Sequence, residues 1–582
     1  MNPFEELRAD VVEAIAAAGA AGELPAGLPL ERLTVEPPRD SGHGDAATNA
    51  AMVLAKPAGK PPLAIAEIVA RRLSRLDKVA AVEVAKPGFV NLRLTDAFWQ
   101  RQVTTALAAG PAYGRADLGQ GRLVNVEFCS ANPTGPLHVG HGRGTVFGDA
   151  LASLLQAMGY RVVREYYIND AGVQIDRLAR SVRHRYLEAL RAAPAEPPEG
   201  WYPGDYLAPL GRALAEQDGD RWCHATEEDW LPVFRARAVS AMMAQIRADL
   251  AALGVAYDVF TSEAALIADG RLRQALDRLQ AAGLLYTGTL PPPKGRADDD
   301  WEPVPLLLFR ASAFGDDVDR PVQNSRREWT YFAADLAYHL DKVERGAEEL
   351  IDVWGADHGG YVKRMQAAVR ALSRDRARLD VKLCQLVNLL DGGQPLKMSK
   401  RAGRIVTLRD VVDEVGRDVV RFIMLTRKND APLDFDLQRV VEQSRDNPVF
   451  YVQYAHARIR SVQRNALEMG LDPAPAALLD APVESLVDPA ELALVKQIAQ
   501  LPRTLEAATA SHEPHRIAFY LYDLAGSFHV LWNRGKESPE LRFLRSDTPD
   551  LTRARLALLA ATQIALTAGL DIMGVVPVEE MT

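Results

Sequence analysis

The chain has 582 residues, 48% of them hydrophobic, and a formal net charge of −9 at pH 7. That length suits three or four domains with packed cores, and the acidic balance excludes a protein drawn to nucleic acid over its whole surface while leaving local basic patches free to act. The three cysteines, Cys129, Cys223 and Cys384, lie far apart without a CxxC pair, which argues for a reducing cytoplasm and against a disulfide framework or a structural zinc. Met1 is followed by an acidic amphipathic segment with no basic stretch and apolar run behind it, so no signal peptide is expected. Residues 1 to about 110 pattern as helix at both ends around a turn-rich centre, Pro37 to Asn49, and Pro87 to Leu94 alternates as a half-buried strand. A glycine-rich linker then places a boundary near residue 115. Beyond it Arg122 to Cys129 reads as a strand. The helix that follows puts Phe147, Ala150, Leu151, Leu154, Leu155 and Met158 on one face before Gly159 ends it, and a second strand, Arg161 to Ile168, completes a βαβ unit. Further apolar strands, Glu349 to Trp354 and Val381 to Leu389, alternate with helices, so residues 116–445 should form an α/β domain on a parallel sheet. A largely helical stretch from about 174 to 304, with a Pro-rich loop at 192–203, reads as an insertion between the halves of that sheet. From 446 to 582 helical periodicity dominates, in runs at Val449 to Ala466, Pro489 to Thr509, His515 to Trp532 and Leu551 to Met573, which predicts an all-α bundle. The apolar run Leu556 to Leu570 stops short of the ~18 residues expected for a membrane span and reads as a buried helix, with no membrane association expected.

Two short motifs carry the chemistry. HVGH, His138 to His141, opens the helix of the βαβ unit, where free N–H groups and the positive dipole end attract phosphate. Alone it reads first as ordinary polar residues at a helix start; a zinc pair would need further ligands, and no HExxH glutamate or cysteine pair supplies them. Gly135, Gly140, Gly142 and Gly144 let a nucleotide approach the backbone, and the imidazoles can donate to phosphate oxygens as charge shifts during displacement at the α-phosphorus. KMSKR, Lys397 to Arg401, sits in a loop at 391–405 framed by Gly392, Gly393, Pro395 and Gly403. A solvated basic turn is the plainer reading of KMSKR alone; following HVGH, it reads as the second half of one ATP site.

The two motifs resemble the signatures of class I aminoacyl-tRNA synthetases. VEFCSANPTGPLHVGHGRG, INDAGVQI, WYPGDY, FGDDVDRP, TYFAADLAYHLDK, VWGADHGGYVKR and KMSKRAG are similar in order and wording to bacterial arginyl-tRNA synthetases, over almost the whole chain. HVGH carries valine where the family usually has isoleucine, a swap of similar volume, and Arg401 stands where many class I enzymes have serine. The resemblance implies a Rossmann-like parallel-sheet catalytic domain with a helical insertion, an α+β N-terminal domain that contacts the tRNA elbow, and an α-helical anticodon-binding domain. It also implies L-arginine, ATP with Mg²⁺, and tRNA(Arg) as ligands, a monomeric cytoplasmic protein, activation that needs tRNA present, and acylation of the 2′-hydroxyl first. His138, His141, Lys397 and Lys400 are then the catalytic candidates, with Gly140, Met398 and Ser399 beside ATP.

The amino-acid pocket can also be argued from charge. Tyr331, Asp335, Tyr338 and His339 fall on one helical face, and a carboxylate among phenols suits a planar guanidinium, although a solvated amphipathic face would look similar. The resemblance assigns Tyr331 and Asp335 to the side-chain end of arginine and adds Glu127 and Asn132 to the same pocket. Gly355, Asp357 and His358 follow an apolar strand, where a carboxylate can bind ribose hydroxyls and a glycine can admit adenine; a turn with an Asp cap is the alternative. Cys129, with no base nearby, reads as packing. Between Arg445 and Arg464 arginines interleave with Tyr451, Tyr454 and His456, a pattern suited to phosphate contact and base stacking, and the resemblance makes Arg458, Tyr451 and Tyr454 the tRNA-binding candidates. Two rival functions share the fold: a catalytically silent tRNA-binding relative, against which the intact HVGH and both KMSKR lysines count, and a nucleotidyltransferase acting without tRNA, against which the bundle counts.

Overall fold

The computed structural model describes residues 2–194, 196–290, 304–396 and 406–581. The first helix, α1 (Pro3–Ala20), is started by Asn2, whose side chain accepts from the Phe4 N–H, and by Pro3 in its first turn. Strands β1 (Val35–Glu36) and β2 (Ala46–Thr48), helices α2 (Ala50–Ala58) and α3 (Pro62–Leu73), and strands β3 (Val79–Ala85) and β4 (Phe89–Leu94) follow. The four strands pair antiparallel in the order β1-β2-β4-β3, an α+β unit as expected. Helix α4 (Asp96–Ala109) leaves this unit and lies on the C-terminal bundle, where Gln100 donates to the carbonyls of Glu484 and Leu486.

The α/β core begins with β5 (Leu123–Glu127), α5 (Val139–Ala157) and β6 (Arg161–Ile168), as the sequence predicts. Helices α6 (Val173–Ala189), α7 (Ala208–Asp218) and α8 (Glu227–Ala252) build the insertion around Tyr186, Trp222, Trp230 and Phe234. The stretch read as largely helical also contains β7 (Val259–Ser262), which pairs with β6 and is an edge strand of the main sheet. At four residues it is too short to show a period in the sequence. Helices α9 (Glu263–Ala268) and α10 (Arg271–Ala281) and a small antiparallel sheet of β8 (Leu285–Gly288), β9 (Leu306–Phe309) and β10 (Arg320–Pro321) lead into α11 (Tyr331–Glu344), β11 (Glu349–Gly355), α12 (Val362–Ser373) and β12 (Arg378–Cys384). The main sheet is parallel throughout, in the order β12-β11-β5-β6-β7. The chain therefore builds outward from β5 to β7, returns, and builds the other way from β11 to β12. The order reverses between β5 and β11, and the crevice beyond their carboxyl ends is where open α/β sheets bind ligands.

The run read as one strand over Val381 to Leu389 divides. Its first part ends β12, and after Gln385 and Leu386 the chain enters β13 (Val387–Asp391), which pairs with β14 (Gln394–Pro395) and β15 (Leu433–Asp436) in a separate sheet. The break is held from outside: Arg143 donates to the Gln385 carbonyl, and the Gln385 N–H donates to Asn429. Helices α13 (Leu408–Val415) and α14 (Arg417–Met424) complete this region.

The bundle consists of α15 (Pro448–Glu468), α16 (Pro489–Ile498), α17 (Leu501–Ser511), α18 (His515–Glu537) and α19 (Pro549–Met573). The single helix expected over Pro489 to Thr509 is two, because Pro502 lacks the N–H that a continuous helix would need and sits instead in the first turn of α17. Helix α19 is long and apolar enough to cross a membrane, yet 78% of its apolar window is buried inside the protein, so it is the core helix of the bundle. One hydrophobic cluster runs from Phe4 through Val126 and Leu151 to Met573, joining the first unit, the sheet and the bundle.

Candidate active site

His138 is the N-cap of α5 and the two motif histidines fasten each other. The Gly140 N–H donates to His138 Nδ1 at 3.1 Å, the His138 N–H donates to His141 Nδ1 at 3.2 Å, and the rings stack 3.7 Å apart. A ring nitrogen that accepts from an N–H carries no proton, so in the neutral form both imidazoles carry theirs on Nε2. The motif thus gives a capped helix N-terminus with two Nε2–H donors. Gly142 has a further reason to be small: a Cβ there would meet Leu408 at 2.8 Å.

Lys397, Met398, Ser399, Lys400 and Arg401 lie outside the described residues, but both anchors of their loop are described. On one side the Asp436 carboxylate accepts from the Gly392 and Gly393 N–H groups and the Leu396 N–H donates to Leu389. On the other, Thr407 caps α13 and forms an antiparallel bridge with His138, while the Leu408 N–H donates to the Leu137 carbonyl at 2.8 Å. The chain leaving the second motif is thus paired, backbone to backbone, with the first residue of the first motif.

The floor of the crevice is acidic. Glu127 ends β5 and is buried, accepting from Ser130 Oγ at 2.9 Å and from Lys342 Nζ at 2.5 Å; burial pushes its carboxyl up despite the lysine. Cys129 and Ser130 both take left-handed backbone conformations, with φ of 66° and 39°, and the kink they make lets Ser130 Oγ also accept from the Tyr167 N–H. The Cys129 thiol is pushed up to about 11 by burial, in keeping with a packing role. Asn132 is exposed beyond the kink. On α11 the expected face separates: Asp335 accepts from the Tyr361 hydroxyl at 2.6 Å, Tyr338 is buried and stacks on Tyr167, His339 lies 3.0 Å from Asp352, and Tyr331 at the helix start is 79% exposed.

Residues the sequence did not single out complete this floor. Glu263 is buried without an ion-pair partner among the described residues, and burial together with the charges of Asp335 and Asp170 pushes its carboxyl up to about 7. Asp335 is itself raised, chiefly by burial. Several carboxyls facing one another with few cations among them favour a cationic ligand. Ser262 followed by Glu263 reads in sequence as a helix cap, which it is, with the Ala265 N–H donating to Ser262, so no separate signal marked Glu263. Asp352 was legible in principle, since an aspartate inside the apolar run ELIDVWG must find a partner.

Gly355 ends β11, and Asp357 and His358 follow on a short 3-10 turn, their side chains exposed and 3.5 Å apart. A Cβ on Gly355 would lie 2.5 Å from Asp357 Oδ1, so any larger residue there would turn the Asp357 side chain aside. The residues after β5 and β11 therefore flank the switch-point crevice from opposite sides.

On the bundle Arg458, Tyr451 and Tyr454 come together. Arg458 lies over the Tyr454 ring at 3.9 Å and donates to Tyr454 Oη and to His529 Nδ1, and His529 Nε2 is 3.0 Å from the Tyr451 carbonyl. Burial pushes His529 down to about 4, which keeps it neutral and able to accept from the guanidinium. With Arg445, Phe450, Val530 and Asn533 these side chains line a cavity of about 250 Å³. His456 is not part of it: it is buried, with Nδ1 2.8 Å from the Val578 carbonyl, because it points to the other side of α15.

A switch-point crevice flanked by HVGH, with the segment after KMSKR paired to it and an anticodon-type bundle behind, defines a class I aminoacyl-tRNA synthetase. Comparison with known families agrees: residues 102–196 match the model "tRNA synthetases class I (R), catalytic domain", residues 5–94 the "Arginyl tRNA synthetase N terminal domain" and residues 452–581 the "DALR anticodon binding domain". The chain is 59% identical to the arginine–tRNA ligase of Ruegeria pomeroyi and 58% identical to that of Paracoccus denitrificans, each over 100% of both chains. A crystal structure described as a putative arginyl-tRNA synthetase from Campylobacter jejuni superposes with a TM-score of 0.72 at 31% identity, covering 84% of this chain and 100% of that one. The chain belongs to the arginine–tRNA ligase family.

Proposed function

We propose that the crevice between β5 and β11 binds ATP along HVGH and the β11 turn, and L-arginine over the acidic floor. The activity is arginine–tRNA ligation: ATP-dependent activation of L-arginine and its transfer to the 3′-terminal adenosine of tRNA(Arg), releasing AMP and pyrophosphate. In this reading the arginine carboxylate attacks the α-phosphorus in line, and His138, His141, Lys397 and Lys400 stabilise charge on the phosphates as pyrophosphate leaves. The terminal ribose hydroxyl then attacks the adenylate carbonyl and AMP departs; the 2′-hydroxyl is acylated first. Gly140, Met398 and Ser399 contact ATP, Gly355 admits adenine, and Asp357 and His358 hold the ribose. Asp335 and Tyr331 receive the guanidinium, with Glu263 opposite Asp335, and Glu127 and Asn132 complete the pocket.

Mg²⁺ enters with the triphosphate. Among the described residues no group of three or more His, Cys, Asp or Glu could hold a metal ion, so the ion would be coordinated mainly by phosphate oxygens, whose charge it would offset. Residues 1–115 are the additional tRNA-contacting domain, 116–445 the catalytic domain and 446–582 the anticodon-binding domain, in which Tyr451, Tyr454 and Arg458 stack and pair with a base. The protein acts as a cytoplasmic monomer away from membranes, and activation requires tRNA(Arg).

The observation that carries this reading is the bridge from His138 to Thr407, which pairs the chain just beyond the second motif with the first residue of the capped helix that would bind phosphate. ATP–pyrophosphate exchange over all twenty amino acids, with and without tRNA, tests it. Exchange with arginine alone among them, and only with tRNA(Arg) present, is expected. Exchange with another amino acid would overturn the pocket, and exchange without tRNA would overturn the dependence.

A further inference from the structure

Three carboxylates stand side by side across the main sheet. Glu165, Glu127 and Asp352 are in direct register on β6, β5 and β11, so their side chains share one face, and all three are buried. Like charges directly opposite one another on neighbouring strands are unfavourable, and buried ones more so. The groups that offset them come from α11 and the residue after it. Arg345 donates to both oxygens of Glu165 at 2.7 Å, His339 Nε2 lies 3.0 Å from Asp352 Oδ2, and Lys342 reaches between the other two, 2.5 Å from Glu127 Oε2 and 2.9 Å from Asp352 Oδ1. Lys342 is fully buried, with the Tyr338 ring 4.3 Å from its ammonium. The surrounding carboxylates hold it protonated.

Of the three acids, Glu127 is the one at the end of its strand, facing the crevice. Its two oxygens are held from opposite sides, Oε2 by Lys342 and Oε1 by Ser130, whose position is fixed by its own left-handed backbone and by the Tyr167 N–H. A carboxylate pinned in this way has one plane, and its remaining lone pairs have one direction. We propose that Lys342 is a positioning residue for amino-acid binding, fixing the plane of the Glu127 carboxyl so that a cationic group of arginine meets oxygens already aimed at it. The inference rests on the reading that Glu127 lies in the arginine pocket. Lys342 touches neither substrate nor reacting atoms; it acts through Glu127, and therefore on arginine binding rather than on phosphoryl chemistry.

Steady-state aminoacylation by the full chain, at saturating tRNA(Arg), separates this role from a merely structural one. Lys342→Met alone leaves two buried acids without their cation and would lose stability for that reason. The informative variant is therefore Lys342→Met with Asp352→Asn, which removes one positive and one negative charge together and keeps the row balanced. In it the arginine KM should rise about 10-fold or more, while kcat at saturating arginine and the KM for ATP stay within about threefold of wild type. An arginine KM within about twofold of wild type, or a loss confined to kcat, would overturn the positioning role. Glu127→Gln is measured alongside, and its arginine KM should rise as much or more. An unchanged KM in Glu127→Gln would overturn the pocket reading itself; a raised KM there with an unchanged KM in the double variant would overturn only the part assigned to Lys342.

Discussion

Asp335 accepts one short hydrogen bond from Tyr361, and its carboxylate makes no ion pair among the described residues. Asp335→Asn keeps the volume and removes that charge. Breaking a buried charge pair costs on the order of 2–5 kcal/mol, so arginine affinity should fall by roughly 30-fold to several thousand-fold. ATP binding should be nearly unchanged. Calorimetric titration of each ligand with tRNA present makes the comparison, and an arginine affinity within about twofold of wild type would place Asp335 outside the pocket. Glu263 adds a pH dependence. Its carboxyl, raised to about 7, is partly protonated in the empty pocket near neutrality, and a guanidinium binds the ionised form. Binding should therefore release a proton, and the arginine KM should fall as pH rises through 7. Glu263→Gln should flatten that dependence; the same slope in the variant would assign it to another group. Neither Glu263 nor Lys342 stood out in the sequence, because one is disguised as a helix cap and the other ends an amphipathic helix where a solvated lysine is ordinary.

Helix α5 was legible almost to the residue, since its cap, its apolar face and the glycine after it all point to the same bounds. What its sequence did not reveal is how close it comes to β5. Gly148 faces Phe128, and a Cβ there would lie 2.2 Å from the ring, so the helix that carries HVGH is seated on the sheet through a glycine. Gly148→Ala should force the helix away and destabilise the protein by about 1–3 kcal/mol, as overpacking of a filled core does. Thermal unfolding would show this as a lowered midpoint, and a midpoint equal to wild type would mean that α5 shifts without cost. The elements that sequence reading missed share a cause. Strand β7 is four residues long, the break between β12 and β13 is held by groups distant in sequence, and the division of α16 from α17 turns on one proline in an otherwise periodic run. Each is decided by tertiary partners or by a single residue rather than by a period. The βαβ unit and the other bundle helices, by contrast, have periods that agree with their observed elements. For the second motif, Lys400→Ala should lower kcat by roughly two to three orders of magnitude with little change in arginine KM, as loss of a donor to developing charge does, and a loss confined to KM would reassign it to ground-state binding.

At the scale of the whole molecule the bundle is joined to the catalytic sheet by more than apolar packing. His512, the left-handed cap of α17, sets its ring against side chains from two adjacent strands of the main sheet, with Nδ1 2.7 Å from Asp380 on β12 and Nε2 3.4 Å from Glu349 on β11. A ring flanked by two carboxylates is stabilised in its protonated form, and His512 is raised although burial and nearby Lys382 oppose it. Asp380 is held correspondingly low, at about 2, by His512 and Lys382 against the cost of its burial. The two partners set the pH window of the contact. A raised imidazole contributes stability that is complete below its unfolded value of about 6.5 and is lost as pH climbs through its folded value, while a depressed carboxylate contributes above about 3.9 and is lost only as pH falls toward its folded value. The clamp is therefore complete between about pH 4 and 6.5 and weakens above that range. His512→Asn keeps a residue that tolerates the left-handed backbone but cannot be protonated. Its unfolding midpoint should lie furthest below wild type near pH 6, and the gap should narrow by pH 8.5 as the wild-type ring loses its proton. A gap that is the same at both values, or wider at the higher one, would mean that His512 joins bundle and sheet as a neutral group and that the charge between the two carboxylates plays no part in holding them together.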